Sequence, residues 1–337
     1  MLRIGYKASA EQFGARDLLT FSVLAERSGF DSVAVSDHFQ PWRHTGGQAP
    51  NALVWLGALA VATQRVQIGT SVLTPTFRYH PALVAQAAAT VEALAPGRTF
   101  LGIGTGESMN EVPLGIEWPE IKERFARMRE SVDLMRRLWR DEFVTFEGEH
   151  YRTRNATIYE RPASGIVPLY IAATGESAAR LAGRVAQGFI CTSGKGEELY
   201  VNTLIPAVRE GAAKAGRDPS TIDMTIEVKV SYDTDRERAL EDTLHWAALA
   251  LPADQKVGVE DPREMERLAA ALTKEQAASR WVVGTDADQV AERIGAYVRM
   301  GFGHLVLHAP GADQERAIGL LCRDILPRLR DRYPLAP

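Results

Sequence analysis

Eight short runs of apolar and β-branched residues recur along the chain: Leu2–Ala8, Asp31–Ser36, Val66–Leu73, Thr99–Gly104, Val167–Ala173, Gly188–Thr192, Thr225–Tyr232 and His304–His308. Most are continuous rather than alternating, the pattern of parallel strands covered on both faces. Stretches with apolar residues at helical spacing lie between them. Arg16–Ser28 carries Leu18, Leu19, Val23 and Leu24 and meets a stop signal at Gly29. Pro81–Leu94 repeats Leu83, Val84, Ala87, Val91 and Leu94, and Glu120–Trp139 repeats Ile121, Phe125, Met128, Val132 and Met135. Asp286–Met300 and Asp313–Leu326 read the same way. Eight strands alternating with helices predict one (β/α)8 TIM barrel spanning 1–337, with a doubly wound open sheet as the alternative. Two connections are too long for plain links. Residues 107–166, after strand 4, hold a long helix and EFVTFEGEHYR, which reads as a β-hairpin around Glu147-Gly148. Residues 233–303, after strand 7, hold several helices. Both read as insertions into the barrel, not as separate domains.

Composition narrows the class. Of 337 residues, 45% are hydrophobic and 24% charged, which excludes a disordered chain and supplies a core that needs no disulfide staples. A net charge of −4 argues against a nucleic-acid partner, whose phosphates call for a basic surface. Cys191 and Cys322 are too few for a disulfide framework or a zinc site and suit a reducing, cytoplasmic location. The N-terminus shows no signal-peptide pattern, and no run of about 18 apolar residues suggests a membrane span. The seven histidines have no metal-ligand spacing, so no metal is expected.

A barrel enzyme carries its chemistry at the C-terminal ends of its strands. Strand 2 ends in Ser36-Asp37-His38, with Trp42 and His44 following; a carboxylate beside an imidazole suits acid–base work. Strand 3 runs into TSVLTPTFRYHP, whose threonines read as turn caps. Strand 4 ends in Gly102-Ile103-Gly104-Thr105-Gly106-Glu107. Its glycines allow a flat ring or a phosphate close to the backbone, but the spacing is not that of a nicotinamide-binding fingerprint. Glu107 is either a catalytic acid or a carboxylate tied to backbone amides. Strand 5 opens a helix at Thr174-Gly175-Glu176-Ser177, a ready anion site or an ordinary cap. Strand 6 ends in Cys191-Thr192-Ser193-Gly194-Lys195, where a phosphate would fit; Cys191 reads as a buried strand residue. Lys256 and Arg280, in the insertion after strand 7, mean little by themselves.

Taken together, LRIGYKASAEQF, VSDHFQPWRH, GTSVLTPTFRYHPA, FLGIGTGESMNE, KERFARMRESVDLMRRLW, GFICTSGKGEELY and SRWVV resemble the luciferase-like superfamily of flavin and deazaflavin enzymes, most closely its F420-dependent glucose-6-phosphate dehydrogenases. The resemblance implies a homodimeric barrel binding coenzyme F420 at its C-terminal mouth. It also implies oxidation of the C1 hydroxyl of D-glucose 6-phosphate to 6-phosphogluconolactone, with hydride passing to F420. By this likeness Asp37, Ser71, Val72, Thr74, Thr105, Gly106, Asn110, Thr174, Gly175, Ser177 and Ala178 line the cofactor, and Thr192, Lys195, Lys256 and Arg280 hold the sugar phosphate. A cis peptide is expected at Ser71-Val72. His38 is the first candidate for the base and Glu11 its rival. Glu107 would supply a proton to the ring system, and Trp42 would stack near the reacting centre. Thr174-Gly175 departs from the Gly-Gly of relatives, so contacts to the cofactor phosphate would be altered. The rival readings are a dehydrogenase for another alcohol or sugar phosphate, an FMN-dependent monooxygenase, and a silent deazaflavin-binding protein.

Overall fold

A computed structural model describes residues 2–334. Eight parallel strands form the barrel: β1 (Arg3–Ala8), β2 (Ser32–Val35), β3 (Gln67–Thr70), β4 (Thr99–Ile103), β5 (Leu169–Ala172), β6 (Gly188–Thr192), β7 (Asp223–Tyr232) and β8 (His304–His308). Each pairs with the next, and β8 returns to β1 in the register Arg3↔His304 to Tyr6↔Leu307. That last pairing closes the sheet and removes the open-sheet alternative.

The barrel strands are buried nearly throughout, as continuous apolar sequence requires. Outward-facing residues such as Ile226, Val228 and Val230 pack under the helices, while Ala34, Phe100, Tyr170, Ile190 and Val306 form an apolar plug inside the barrel. Gly102 belongs to this packing, since a Cβ there would sit 2.0 Å from the Thr70 carbonyl oxygen. β7 alternates inside the barrel as well as outside. Thr225, Glu227, Lys229 and Ser231 share one face, opposite the apolar residues between them.

Between β4 and β5 the chain runs through the helix Ile121–Arg140 and an antiparallel hairpin, Val144–Glu147 with Arg152–Ala156. The helix buries Met128, Val132, Met135 and Leu138 and is pinned by Trp139 Nε1 donating to the Ala85 carbonyl at 2.8 Å. Between β7 and β8, short helices wrap a satellite core of Ala247, Ala248, Leu251, Met265, Ala269 and Ala277, against which Trp42 packs. This small core carries Lys256 and Arg280 to the mouth of the barrel.

Three elements differ from the sequence reading. Ala52–Ala62 is a helix, yet ALVWLGALAVA is apolar on every side and shows no period. The last helical stretch begins at Gln314 and continues through a π-helical segment to Arg332. A three-residue strand, Val282–Gly284, adds to the outer end of β7.

Candidate active site

A cavity of about 1030 Å³ opens at the C-terminal end of the barrel. Every residue given a catalytic, cofactor or phosphate role by the resemblance lines it: Glu11, Asp37, His38, Trp42, Ser71, Val72, Thr74, Thr105, Gly106, Glu107, Asn110, Thr174, Gly175, Ser177, Ala178, Thr192, Lys195, Lys256 and Arg280; His44 lies outside it. They come from the ends of six strands and from the two long connections, and only barrel closure brings them together.

His38 stands at the centre. Its Nδ1 lies 3.1 Å from the Gln40 carbonyl oxygen and 3.4 Å from the side-chain amide nitrogen of Asn110. Its Nε2 faces two carboxylates, Glu11 at 3.3 Å and Glu107 at 3.5 Å. The loop bearing His38 is fixed by Asn110, whose side-chain oxygen accepts from the amides of Phe39 at 2.8 Å and Gln40 at 3.2 Å. Trp42 flanks the imidazole, with ring centroids 5.9 Å apart. Glu11 is buried and takes the Ser36 hydroxyl. Burial pushes its carboxyl up, but His38, Lys7 and the Ser36 bond outweigh that and hold it below the ordinary value. Glu107 is exposed on the cavity side.

The pairing of Asp37 with His38 expected from their adjacency does not form. Consecutive residues leaving a strand point to opposite sides. The Asp37 carboxylate turns to the Arg78 guanidinium and accepts the Tyr79 hydroxyl at 3.1 Å. Arg78 also pairs with Glu111 and donates to the Asp37 carbonyl at 2.9 Å, tying the end of β2 to the start of the insertion after β4. The carboxylate partners of His38 are Glu11 and Glu107.

A second group gathers on the far wall. Lys256 Nζ and Arg280 Nη1 both point at the Leu249 carbonyl oxygen, at 3.5 and 3.1 Å, and Lys195 stands beside them on the turn after β6. Burial and the neighbouring Arg280 lower the pKa of both lysines. Among the described residues no carboxylate forms an ion pair with any of the three. Thr192 ends β6 at the same wall.

The third wall is low and rich in small residues. Ser71-Val72 is a cis peptide, and Lys7 holds the Ser71 carbonyl at 2.6 Å. Gly106 has φ +85°, and a Cβ there would lie 3.0 Å from Thr74 and 3.1 Å from Trp118, so only glycine suits the position. The helix Glu176–Val185 begins at Gly175 with no side-chain cap, leaving its first amides to the cavity. Lys122, Arg124 and Arg129 complete this wall from the helix Ile121–Arg140.

Several lining residues escaped the sequence reading. Lys7, Glu227 and Lys229 form a buried charged set near the barrel axis, with Lys7 2.8 Å from Glu227 and the buried His308 beside them. The signal was present in β7, where IEVKV alternates charged and apolar positions within a barrel strand. Arg78 left no comparable mark.

Residues 2–304 match the luciferase-like monooxygenase family. The chain belongs to that family. Among the similar members of this luciferase-like family is an F420-dependent glucose-6-phosphate dehydrogenase of Beutenbergia cavernae, 63% identical over 332 residues and covering 98% of both chains. Another of the same description, from Nakamurella multipartita, is 62% identical over 98% of this chain and 97% of its own. A solved structure of an F420-dependent secondary alcohol dehydrogenase, in complex with an F420-acetone adduct, has a TM-score of 0.92 at 36% identity and covers 98% of this chain and 99% of its own.

Proposed function

We propose that this luciferase-like chain is an oxidoreductase that oxidises the C1 hydroxyl of D-glucose 6-phosphate to 6-phosphogluconolactone with coenzyme F420. The observation that carries the substrate is the cluster of Lys195, Lys256 and Arg280. Three neighbouring cations with no counter-ion among the described residues are costly in the free protein and match a dianion. A neutral alcohol would leave them without a role.

The residues present fit F420. A flat tricycle needs a wall that backbone can approach, and Gly104, Gly106 and the Ser71-Val72 peptide supply one: a Cβ at Gly104 would come within 3.0 Å of Val72. A phosphate-bearing, acidic side arm needs donors and cations, and the open amides at Ser177 and Ala178 and the side chains of Lys122, Arg124 and Arg129 supply those. Asp37, Thr74, Thr105, Asn110, Thr174 and Gly175 would complete the cradle. F420, when bound, supplies a carbon centre that accepts hydride.

The chain's own residues do the rest. Thr192, Lys195, Lys256 and Arg280 grip the phosphate, so binding energy remote from C1 positions the reacting carbon. His38 Nε2 takes the proton of the C1 hydroxyl. Glu11 and Glu107, at 3.3 and 3.5 Å, stabilise the imidazolium that results. Glu11 is buried and held ionised by Lys7 and Ser36, which suits it as an orienting anion more than as the base itself. Glu107, exposed on the cavity side and 3.5 Å from Nε2, is placed to pass a proton on across the cavity. Trp42 covers His38 and limits water.

The test is the absorbance of oxidised F420 mixed with enzyme and glucose 6-phosphate, beside NADP and FMN controls and an oxygen electrode. Loss of the deazaflavin band with F420 alone is expected; oxygen uptake with FMN and a reductase would overturn the reading.

The active form is a homodimer. The helix Ala52–Ala62 is apolar all round, yet Val54 is 78% and Val61 62% exposed, with Leu83 62% exposed on the adjoining helix Pro81–Leu94. An apolar patch of this kind calls for a partner, and a second copy supplies one. Light scattering of the protein and of Val61→Glu tests this, a monomeric unaltered protein being the contrary result.

A further inference from the structure

We propose that Glu227 and Lys229 form a subsite for the ring hydroxyl groups of the aldose, between the phosphate-gripping cations and the His38 group. This rests on the function proposed above.

The backbone places the pair. On β7, residues 227 and 229 are two apart and so share the inner face. The amide of Lys229 donates to Ser193 Oγ at 2.9 Å, fixing this register against the end of β6. Both residues are buried, at 7% and 4% exposure, and both line the cavity.

Neither group is satisfied by the protein. Lys229 Nζ lies 3.7 Å from Glu227 Oε1, beyond hydrogen-bond reach, and has no other ionic partner among the described residues. An ammonium carries three donors, and leaving them unmade in a buried place is expensive. Glu227 Oε2 is occupied by Lys7 at 2.8 Å. Glu227 Oε1 meets only Lys229 and His308 Nδ1; the latter, at 3.4 Å, is too poorly aligned for a hydrogen bond. An acceptor and a donor thus stand side by side, both open to the cavity.

That combination selects a chemistry. An anion would gain from Lys229 but be repelled by Glu227, and a cation would meet the reverse. A hydroxyl group is donor and acceptor at once and satisfies both, and neighbouring hydroxyls on a ring satisfy them together. Trp246, whose ring meets His308 edge-on at 4.5 Å, lines the cavity alongside and offers an apolar surface to a sugar's C–H face.

The test compares kcat/KM for glucose 6-phosphate with that for its 2-deoxy, 3-deoxy and 4-deoxy analogues, in the unaltered enzyme, Lys229→Met and Glu227→Gln. Binding of F420 by fluorescence quenching and a melting curve monitor the fold of each. The unaltered enzyme is expected to lose on the order of 10- to 100-fold with at least one analogue. In the variants that loss should shrink to below about threefold, because the missing hydroxyl no longer has its partner. Glu227→Gln, which keeps the side-chain volume, carries the test if Lys229→Met does not fold. An enzyme active on glucose 6-phosphate whose discrimination persists undiminished in the variants overturns the subsite alone. An unaltered enzyme inactive on glucose 6-phosphate overturns the proposed function and this subsite with it.

Discussion

Replacing Lys256 with methionine separates anchorage from chemistry. Lys256 Nζ and Arg280 Nη1 approach one carbonyl oxygen, that of Leu249, at 3.5 and 3.1 Å, so the two charges stand within about 7 Å of each other. Like charges at that distance repel by about 2 kcal/mol at an effective dielectric constant of ~20, and by less once water at the cavity mouth screens them. Methionine keeps most of the side-chain stem and removes the charge. The free protein should therefore melt higher, by roughly a degree or two for a chain of this size. The substrate complex should lose a charge-assisted bond of about 1.5–3 kcal/mol, on the order of 10- to 150-fold in kcat/KM for glucose 6-phosphate. The loss should fall mainly on KM, because the contact is remote from C1 and persists unchanged through the reaction. Free glucose lacks the phosphate and should be oxidised as slowly by the variant as by the unaltered enzyme. Initial rates of F420 bleaching with the two sugars, plus a melting curve, measure all three quantities. An equal loss on both sugars, or a melting point several degrees lower, would refute the assignment of this cluster to phosphate.

The barrel was legible because its strands are covered on both faces and so read as unbroken apolar runs; β1 through β8 fall within or beside the eight runs. Positions at strand ends were legible for a related reason. Once the strands are placed, Asp37, His38, Glu107, Thr174 and Thr192 must sit at one mouth, whatever their partners. The partners themselves leave no local pattern. Asp37 is claimed by Arg78, 41 residues on, and Glu11 by Ser36, 25 residues on. Adjacency in sequence therefore suggested an Asp37–His38 pair that the strand geometry forbids. Lys122, Arg124 and Arg129 are on a strongly amphipathic helix, where charged positions ordinarily mean solvent; only the wall of the cavity distinguishes them. The helix Ala52–Ala62 was lost for the opposite reason. Its outer face is apolar, so the polar half of a helical period is missing.

Arg78→Met should destabilise the fold by about 3–5 kcal/mol, because it strands two carboxylates, Asp37 and Glu111, whose side chains are 1% and 0% exposed. It should also weaken F420 binding; a melting curve and a quenching titration report the two effects. His38→Ala and Glu107→Gln should lower kcat by about 10²- to 10⁴-fold with little change in KM, and a pure KM effect would contradict their placement in proton transfer. The pH dependence turns on Lys229. Burial, with repulsion from Arg280, Lys7 and Lys195, brings its amine down to about 8 against the pull of Glu227. The unfolded chain keeps the ordinary lysine value of about 10.4, so between about pH 8 and 10.4 the unfolded state binds more protons. Stability therefore rises with pH across that window as the cost of the buried charge is relieved, and below pH 8 the cost is present in full. Glu227, held well below the ordinary carboxylate range chiefly by Lys7, with Lys229, despite its burial, contributes its own change only in acid. Lys195 and Lys256, also lowered, add slopes of the same sign, so the difference between the unaltered protein and Lys229→Met isolates the residue. That difference should favour the variant at pH 7 and close toward pH 10, while KM for glucose 6-phosphate should climb above pH 8 more steeply in the unaltered enzyme than in Lys229→Met, whose remaining rise comes from Lys195 and Lys256. A stability difference that stays flat from pH 7 to 10 would mean that Lys229 does not titrate in that window, and KM profiles of equal steepness in the two proteins would mean that its charge does not touch the sugar.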